Sequence, residues 1–193
     1  MLNLTDLIRR CQQGDLHAFA TLYDEFQDEM FDLAWTILGE REAAKDAVQE
    51  TFLIVFQKID GYRGDAAFTT WLTAILVNTC RQKLRRRQLR QLVPWHKLSP
   101  RWLSKVAESP SNPAHVVARR LETQLLWQMV DTLDDRLRLP ILLRYRHGLG
   151  CDEIAVALGL SINTIYEQLS QGRKELRRLR REREAGRWPL TDS

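Results

Sequence analysis

Asp152-Glu153-Ile154-Ala155-Val156-Ala157-Leu158-Gly159-Leu160-Ser161-Ile162-Asn163-Thr164-Ile165 is the stretch that decides the fold of the C-terminal half. It reads as two helices joined by a tight turn. Ile154, Leu158, Leu160 and Ile165 are spaced to form a buried wedge, and Ala155 is small where two helices cross closely. Gly159 stands where the turn needs a positive φ, which glycine adopts without a steric penalty. Ser161 can cap the second helix by accepting from backbone N–H groups of its first turn. This is the pattern of a helix-turn-helix, whose second helix enters a DNA major groove with its N-terminal end toward the bases. The groove-facing candidates are Ser161, Asn163, Thr164, Tyr166, Glu167, Ser170 and Gln171. Arg173, Lys174, Arg177 and Arg178 follow as candidate phosphate clamps. A purely structural helical hairpin is the competing reading of the same residues.

Helical periodicity runs through Val117, Leu121, Leu125, Met129 and Leu133, and a short helix is expected around Ile141 to Tyr145, its first turns bent by Pro140. Asp134-Asp135 is placed to open a helix, where acidic residues suit the dipole. Four of the six prolines, Pro94, Pro100, Pro110 and Pro113, fall within twenty residues and mark a linker. Its Trp95 and Trp102 either dock on a domain or await a partner. Ahead of it, Gly14-Asp15 reads as a helix stop followed by an N-cap. Phe19, Leu22, Tyr23, Phe26, Met30, Leu33, Ala34, Ile37 and Leu38 then form one apolar stripe on a long helix ended by Gly39. The next helix puts Val48, Phe52, Val55 and Ile59 on one face, with Asp46, Gln49 and Glu50 away from it. Gly61 and Gly64 bracket the loop Asp60-Gly61-Tyr62-Arg63-Gly64-Asp65, and a third helix runs from about Phe68 into a basic block. No segment alternates with a period of two for long enough to make a strand. The fold class is all-α: two small helical domains, 1–90 and 117–187, joined by a flexible linker, 91–116, the second containing the helix-turn-helix.

The chain has 193 residues, with 29 Lys+Arg against 25 Asp+Glu and a formal net charge of +4. That mean hides an asymmetry. Arg81–Arg90 carries six positive residues and no negative one, and Arg173–Arg187 carries eight against three. Asp24–Asp60, by contrast, has ten acidic and three basic residues. Two basic runs suggest two contacts with a polyanion, and the acidic surface suggests a separate, basic partner. Solvated helix faces are the plainer account of each run taken singly.

On the third helix, Phe68, Leu72, Ile75, Leu76 and Thr79 cluster on one side at 100° per residue. Trp71, Ala74, Asn78, Arg81 and Arg85 step along a neighbouring face. An indole, an amide and two guanidinium groups in one stripe suit an unpaired nucleic-acid strand: stacking, a base edge, phosphates. Tyr62, Arg63 and Phe68 extend it from the loop. The same spacing also suits a Trp71 partly in the core and an Asn78 that is only a satisfied helix polar group.

Taken together the chain resembles the bacterial RNA polymerase sigma factors of the extracytoplasmic-function group of the sigma-70 family. Asp46-Ala47-Val48-Gln49-Glu50-Thr51-Phe52 is similar to the family's core-binding signature. Tyr62-Arg63-Gly64, Phe68-Thr69-Thr70-Trp71-Leu72, Asn78 and Leu84-Arg85-Arg86-Arg87 resemble the part that opens and reads the −10 promoter element. Leu142-Leu143-Arg144-Tyr145, Gly148-Leu149, Glu153-Ile154-Ala155 and Gly159-Leu160-Ser161 resemble the part that reads the −35 element. The resemblance implies that Asp46, Gln49, Glu50 and Phe52 bind core polymerase. It implies that Tyr62, Arg63, Phe68, Trp71, Asn78, Arg81 and Arg85 hold single-stranded −10 DNA, and that the residues from Ser161 to Arg177 named above meet −35 duplex. It further implies an anti-sigma factor as a partner. Two departures stand out. Tyr166-Glu167-Gln168 and Gln171 replace a commonly basic run, which points to weaker electrostatic help or a different −35 sequence, Glu167 being able to accept from a cytosine amine. Val77 replaces a residue, often basic, that precedes the Asn now at 78.

Two other function classes compete. A self-sufficient helix-turn-helix regulator leaves the acidic helix and the aromatic-basic stripe without a use. An enzyme finds no support: His17, His96, His115 and His147 are scattered, no Cys/His pair has metal-ligand spacing, and no GxxxxGK[ST] loop is present. No cofactor or metal is expected. No window approaches about 18 uncharged apolar residues, so direct membrane insertion is not expected. Met1–Asp6 lacks the start of a secretory signal, and Cys11, Cys80 and Cys151 are odd in number and far apart, which together point to the cytoplasm.

Overall fold

Asn3 opens the first helix, α1 (Leu4–Gln12), its side chain accepting from the Thr5 N–H at 3.1 Å. Asp15 does the same for α2 (Leu16–Leu38), accepting from the N–H groups of His17 and Ala18. It also holds Arg10 at 2.7 Å, and these bonds keep its carboxyl below the usual range, the Ala18 N–H contributing most. Gly39, at φ +69°, stops α2 and returns its N–H to the Trp35 carbonyl at 2.8 Å. Then come α3 (Arg41–Lys58), a short 3-10 turn (Ile59–Gly61) and α4 (Phe68–Arg90). This is a computed structural model, and it describes residues 3–90, 123 and 125–187; the expected linker 91–116, with Trp95 and Trp102, and the stripe positions Val117 and Leu121 lie outside the described residues. Every regular element among the described residues is helical. The chain divides into two compact units, the first built on residues 3–90 and the second on most of 125–187.

In the first unit α2 packs against α1, α3 and α4. Leu22, Met30, Ile37, Val55, Ile59, Leu72, Leu76 and Val77 are fully buried at the centre. Each such side chain contributes roughly 1.5–3 kcal/mol when taken from water. The expected stripe on α2 is the core stripe, with Phe19 and Tyr23 half-buried at its edge. Cys80 sits in this core, where burial pushes its thiol up to about 12, so it packs as a small apolar side chain and not as a nucleophile. Two ion pairs tie the basic end of α4 to the acidic segment: Lys83 to Glu50 at 3.1 Å and Arg87 to Glu40 at 3.2 Å.

The described part of the second unit holds a helical run over 125–131, followed by α5 (Asp135–Tyr145), α6 (Cys151–Leu158) and α7 (Ile162–Glu184). Asp134 caps α5, accepting from the Arg136 N–H at 2.9 Å. The helix opens at Asp134-Asp135 and runs unbroken through the segment expected as a separate short helix around Ile141 to Tyr145, with Pro140 buried inside it. Arg138, nearly buried, donates to Asp131 at 3.1 and 3.2 Å and joins the preceding run to α5; burial outweighs this pairing and pushes the Asp131 carboxyl up. Glu153 reaches back to the Gly150 N–H at 2.7 Å at the start of α6, half of a capping box. The turn follows the sequence reading closely. Gly159 has φ +65°, and Ser161 accepts from the Thr164 N–H at 3.1 Å.

One expectation for the wedge is corrected. Leu160 is 39% exposed, because the turn uses its backbone: its N–H bonds the Ala155 carbonyl at 3.0 Å while the Gly159 N–H bonds that of Val156, a Schellman stop that turns the Leu160 side chain outward. Ala155 is half-buried, and it is Ala157 that is wholly enclosed. A close helix approach lies at Gly172 of α7. A Cβ there would stand 3.0 Å from Cγ1 of the buried Ile141 in α5. Gly172→Val is expected to destabilise this unit by about 2 kcal/mol through overpacking, read as a lower melting temperature by circular dichroism. A second prediction concerns pH. Burial, helped by Arg146, holds the His147 imidazole down at about 4 from 6.5, and its Nε2 has no hydrogen bond among the described residues. The unfolded chain therefore takes up this proton first. Stability should be level above pH 6.5 and fall as pH drops from 6.5 toward 4, and His147→Phe should flatten that slope in urea titrations at several pH values.

Candidate nucleic-acid interface

The loop between the 3-10 turn and α4 is closed on itself. The Tyr62 hydroxyl donates to the Ala66 carbonyl at 2.7 Å, the Tyr62 N–H donates to the Ile59 carbonyl at 3.0 Å, and Gly64 between them has φ +81°. With its hydroxyl so engaged, Tyr62 presents a ring and not a donor. Burial, and then Asp65, push its phenol up, so it stays neutral. Its ring lies 5.5 Å from Phe68 and 5.2 Å from Trp71, and those two are 5.7 Å apart. Phe68 is buried and reaches on to Phe26 at 5.6 Å. Among the expected strand-holding residues it is therefore the floor beneath Tyr62 and Trp71 and not part of the surface. Its place as the first residue of α4, on the Leu72–Leu76 face, dictates this. Trp71 is half-buried, Arg63, Asn78 and Arg85 are exposed, and Arg81 is half-buried between the last two. Val77 is fully buried, so its departure from the family pattern falls on the core and not on this surface.

One residue braces the loop from a distance and escaped the sequence reading. Gln12, at the end of α1, donates from Nε2 to the carbonyls of Ile59 and Tyr62 at 3.0 and 2.9 Å. Nothing local signals it, since 47 and 50 residues separate the partners.

On α3, Asp46 and Gln49 are exposed, while Glu50 is half-buried beside Lys83. Phe52 is not on this surface. It is buried, its ring 4.8 Å from Tyr23 and 6.4 Å from Phe19, because it belongs to the Val48–Val55 stripe. The apolar groups that do face out are Leu53, 64% exposed, and Phe56, 49% exposed. At 100° per residue Leu53 falls at the centre of the arc of Asp46, Gln49 and Glu50. That geometry was available in the sequence as an apolar residue off the core stripe.

On α7, Ile165, Leu169, Gly172 and Leu179 are buried. Ser161, Asn163, Tyr166, Glu167, Gln171, Arg173, Lys174, Arg177 and Arg178 are exposed, and Thr164 and Ser170 are half-buried. The expected clamps differ in readiness. Arg178 is held by Glu175 at 2.6 Å and by Glu182, and Arg173 donates to the Tyr145 hydroxyl at 3.2 Å. Lys174 and Arg177 border, with Arg181 and Arg187, a cleft of about 320 Å³ whose rim also includes Arg178 and Glu182. Arg181 and Arg187 thus extend the basic surface beyond the residues singled out in the sequence. Among the described residues no group of His, Cys, Asp and Glu is arranged to hold a metal ion, and no helix is long and apolar enough to cross a membrane.

Residues 22–90 match the Sigma-70 region 2 family, and residues 123–176 match Sigma-70, region 4. The ECF RNA polymerase sigma-E factor of Salmonella typhimurium is 29% identical over 178 residues, 90% of this chain and 93% of the relative. The chain belongs to the sigma-70 family, in its extracytoplasmic-function group. As a sigma factor it binds core RNA polymerase and directs promoter-specific transcription initiation. The ECF RNA polymerase sigma factor SigW of Bacillus subtilis is 25% identical over 174 residues, 89% of this sigma factor and 93% of that one. A solved structure of the sigma factor RpoE in complex with the anti-sigma factor NepR from Bartonella quintana matches with a TM-score of 0.60 at 21% identity, over 84% of this chain and 96% of that one. At that identity the likeness is one of fold. The aromatic loop and the α3 face lie within the region 2 match, the start of α7 within the region 4 match, and α1 with Gln12 outside both.

Proposed function

We propose that this sigma factor grips core polymerase through α3, captures an unpaired −10 base at the Tyr62–Trp71 surface, and reads −35 duplex with α7. The observation that carries the reading is the ring cluster of Tyr62, Phe68 and Trp71, fixed by the Tyr62–Ala66 hydrogen bond and followed along α4 by exposed Asn78 and Arg85. Extruding a base costs a few kcal/mol, and stacking returns about 1–3 kcal/mol per base. A surface whose rings are already packed loses little order on binding, so most of the stacking energy remains to offset extrusion. Phe68 supports this surface from below. On α3, Asp46, Gln49 and Glu50 share one face with Leu53, which follows them by about one turn, so a polar, partly acidic stretch leads into an apolar one, a pattern that suits a basic partner with an apolar side chain beside its charge. Phe52 stiffens that helix from the core. In the region 4 unit Asn163, Thr164, Tyr166, Glu167, Ser170 and Gln171 face the bases, Ser161 caps the reading helix, and Lys174 and Arg177 reach phosphates ahead of the pre-engaged Arg173 and Arg178.

On this reading the protein is a non-catalytic specificity subunit that uses binding energy and no nucleotide hydrolysis, and it works in the cytoplasm, where core polymerase is. Residues 91–116 serve as the tether between its two units. RpoE, whose fold it shares, is captured with an anti-sigma factor, and an inhibitor of that kind is proposed for this chain as well.

Purified core polymerase with this chain should start transcripts at discrete sites in a promoter library, and core alone should not. Asp46→Arg with Glu50→Arg should abolish co-purification with core while leaving the unfolding curve nearly unchanged, because the Glu50–Lys83 pair is partly exposed and worth at most about 1 kcal/mol. Trp71→Ala should lower permanganate reactivity of melted thymines about tenfold, in line with one lost stack, while retention on duplex −35 DNA stays as it was.

A further inference from the structure

Gln12 is the last residue of α1, a helix ahead of everything matched to region 2. Its side-chain NH2 donates to two carbonyls, those of Ile59 and Tyr62. These are the first and last residues of the turn that the Tyr62 N–H closes on the Ile59 carbonyl. One amide thus pins the peptide planes at both ends of the turn from which the Tyr62 ring emerges. The Tyr62 hydroxyl pins the other side of the loop to Ala66. Between these two anchors the ring has a fixed height above Phe68 and a fixed tilt of 46° to Trp71. Loss of the Gln12 bonds leaves the Ile59 carbonyl held by the Tyr62 N–H alone and frees the Tyr62 carbonyl to turn toward water, and the ring with it.

We propose that Gln12 is a positioning residue for promoter melting: by fixing the Ile59 and Tyr62 carbonyls, α1 sets where the Tyr62 ring lies and hence which −10 base the surface accepts. This rests on the reading that Tyr62 and Trp71 hold an extruded base. The role reaches beyond that reading because it makes base selection depend on a helix that does not itself touch the strand.

The test uses the full chain assembled with core polymerase on a promoter recovered from the library, with each of the four bases placed in turn at every −10 position. Gln12→Met keeps side-chain length and helix propensity and removes both donors. It should compress the ratio between the best and worst base at the extruded position by about fivefold to tenfold, while core affinity holds and the melting temperature falls by only a few degrees, the cost of two intramolecular hydrogen bonds. Gln12→Glu, which sets a carboxylate against two carbonyl oxygens, should compress it further. A ratio unchanged in Gln12→Met, or yields lowered equally for all four bases, overturns the proposal. Tyr62→Ala and Trp71→Ala run alongside. If they compress the ratio and Gln12→Met does not, the Gln12 role alone falls. If they too leave it intact, the base-holding reading falls and the Gln12 role with it.

Discussion

Burial of one apolar stripe along α2 is the constraint from which the first unit is built. Leu22, Met30, Leu33, Ala34, Ile37 and Leu38 leave α2 no solvent-facing alternative for that side, and α1, α3 and α4 close over it. Each covering helix spends one face on the core. Its opposite face is then released from packing and can carry chemistry: carboxylates and Leu53 on α3, indole, amide and guanidinium groups on α4. The second unit follows the same economy, with Ile165, Leu169, Gly172 and Leu179 turned inward and the polar arc of α7 turned out.

Charge is distributed on this frame with opposite sign on neighbouring helices. Acidic α3 and the basic end of α4 share the Glu50–Lys83 pair, and Glu40, just ahead of α3, meets Arg87. Both pairs are partly exposed, so their direct contribution to stability is small. Their larger consequence is that part of each field is neutralised in the free protein, while Asp46 on one side and Arg85 and Arg86 on the other stay exposed. On α7 the same holds, since Glu175, Glu182 and Glu184 each pair with an arginine and the uncancelled cations lie at Arg173, Lys174, Arg177 and beyond.

Melting DNA without a chemical energy source demands a surface that loses little entropy when a base arrives. In the role proposed for it, the loop around Tyr62 meets that demand by internal bonds: its hydroxyl, its N–H and its carbonyl are all engaged within the unit. The rings are then braced by Phe68 and, behind it, Phe26.

Local signals carried far. Asp15, Asp134 and Ser161 were recognisable as caps, Gly14, Gly39 and Gly159 as stops, and the α2 and α3 stripes as core faces, because caps and periodicity depend on residues within one or two turns. The helix-turn-helix and the order of the motifs were enough to reach the family. What remained hidden involves atoms far apart in the chain or a choice between adjacent arcs of one helix. Phe52 and Phe68 carry the residue type of a binding surface, yet they lie inward because α2 covers their arc. Leu160 has the residue type of a core position, yet the Schellman turn spends its backbone and leaves its side chain outside. Gly172 matters only because Ile141 arrives opposite it, and Gln12 only because α1 ends beside a loop some fifty residues later. Helix, cap and charge are thus written in the sequence, since short-range geometry determines them; which face is covered, and which distant carbonyl a side chain meets, is decided when the helices pack.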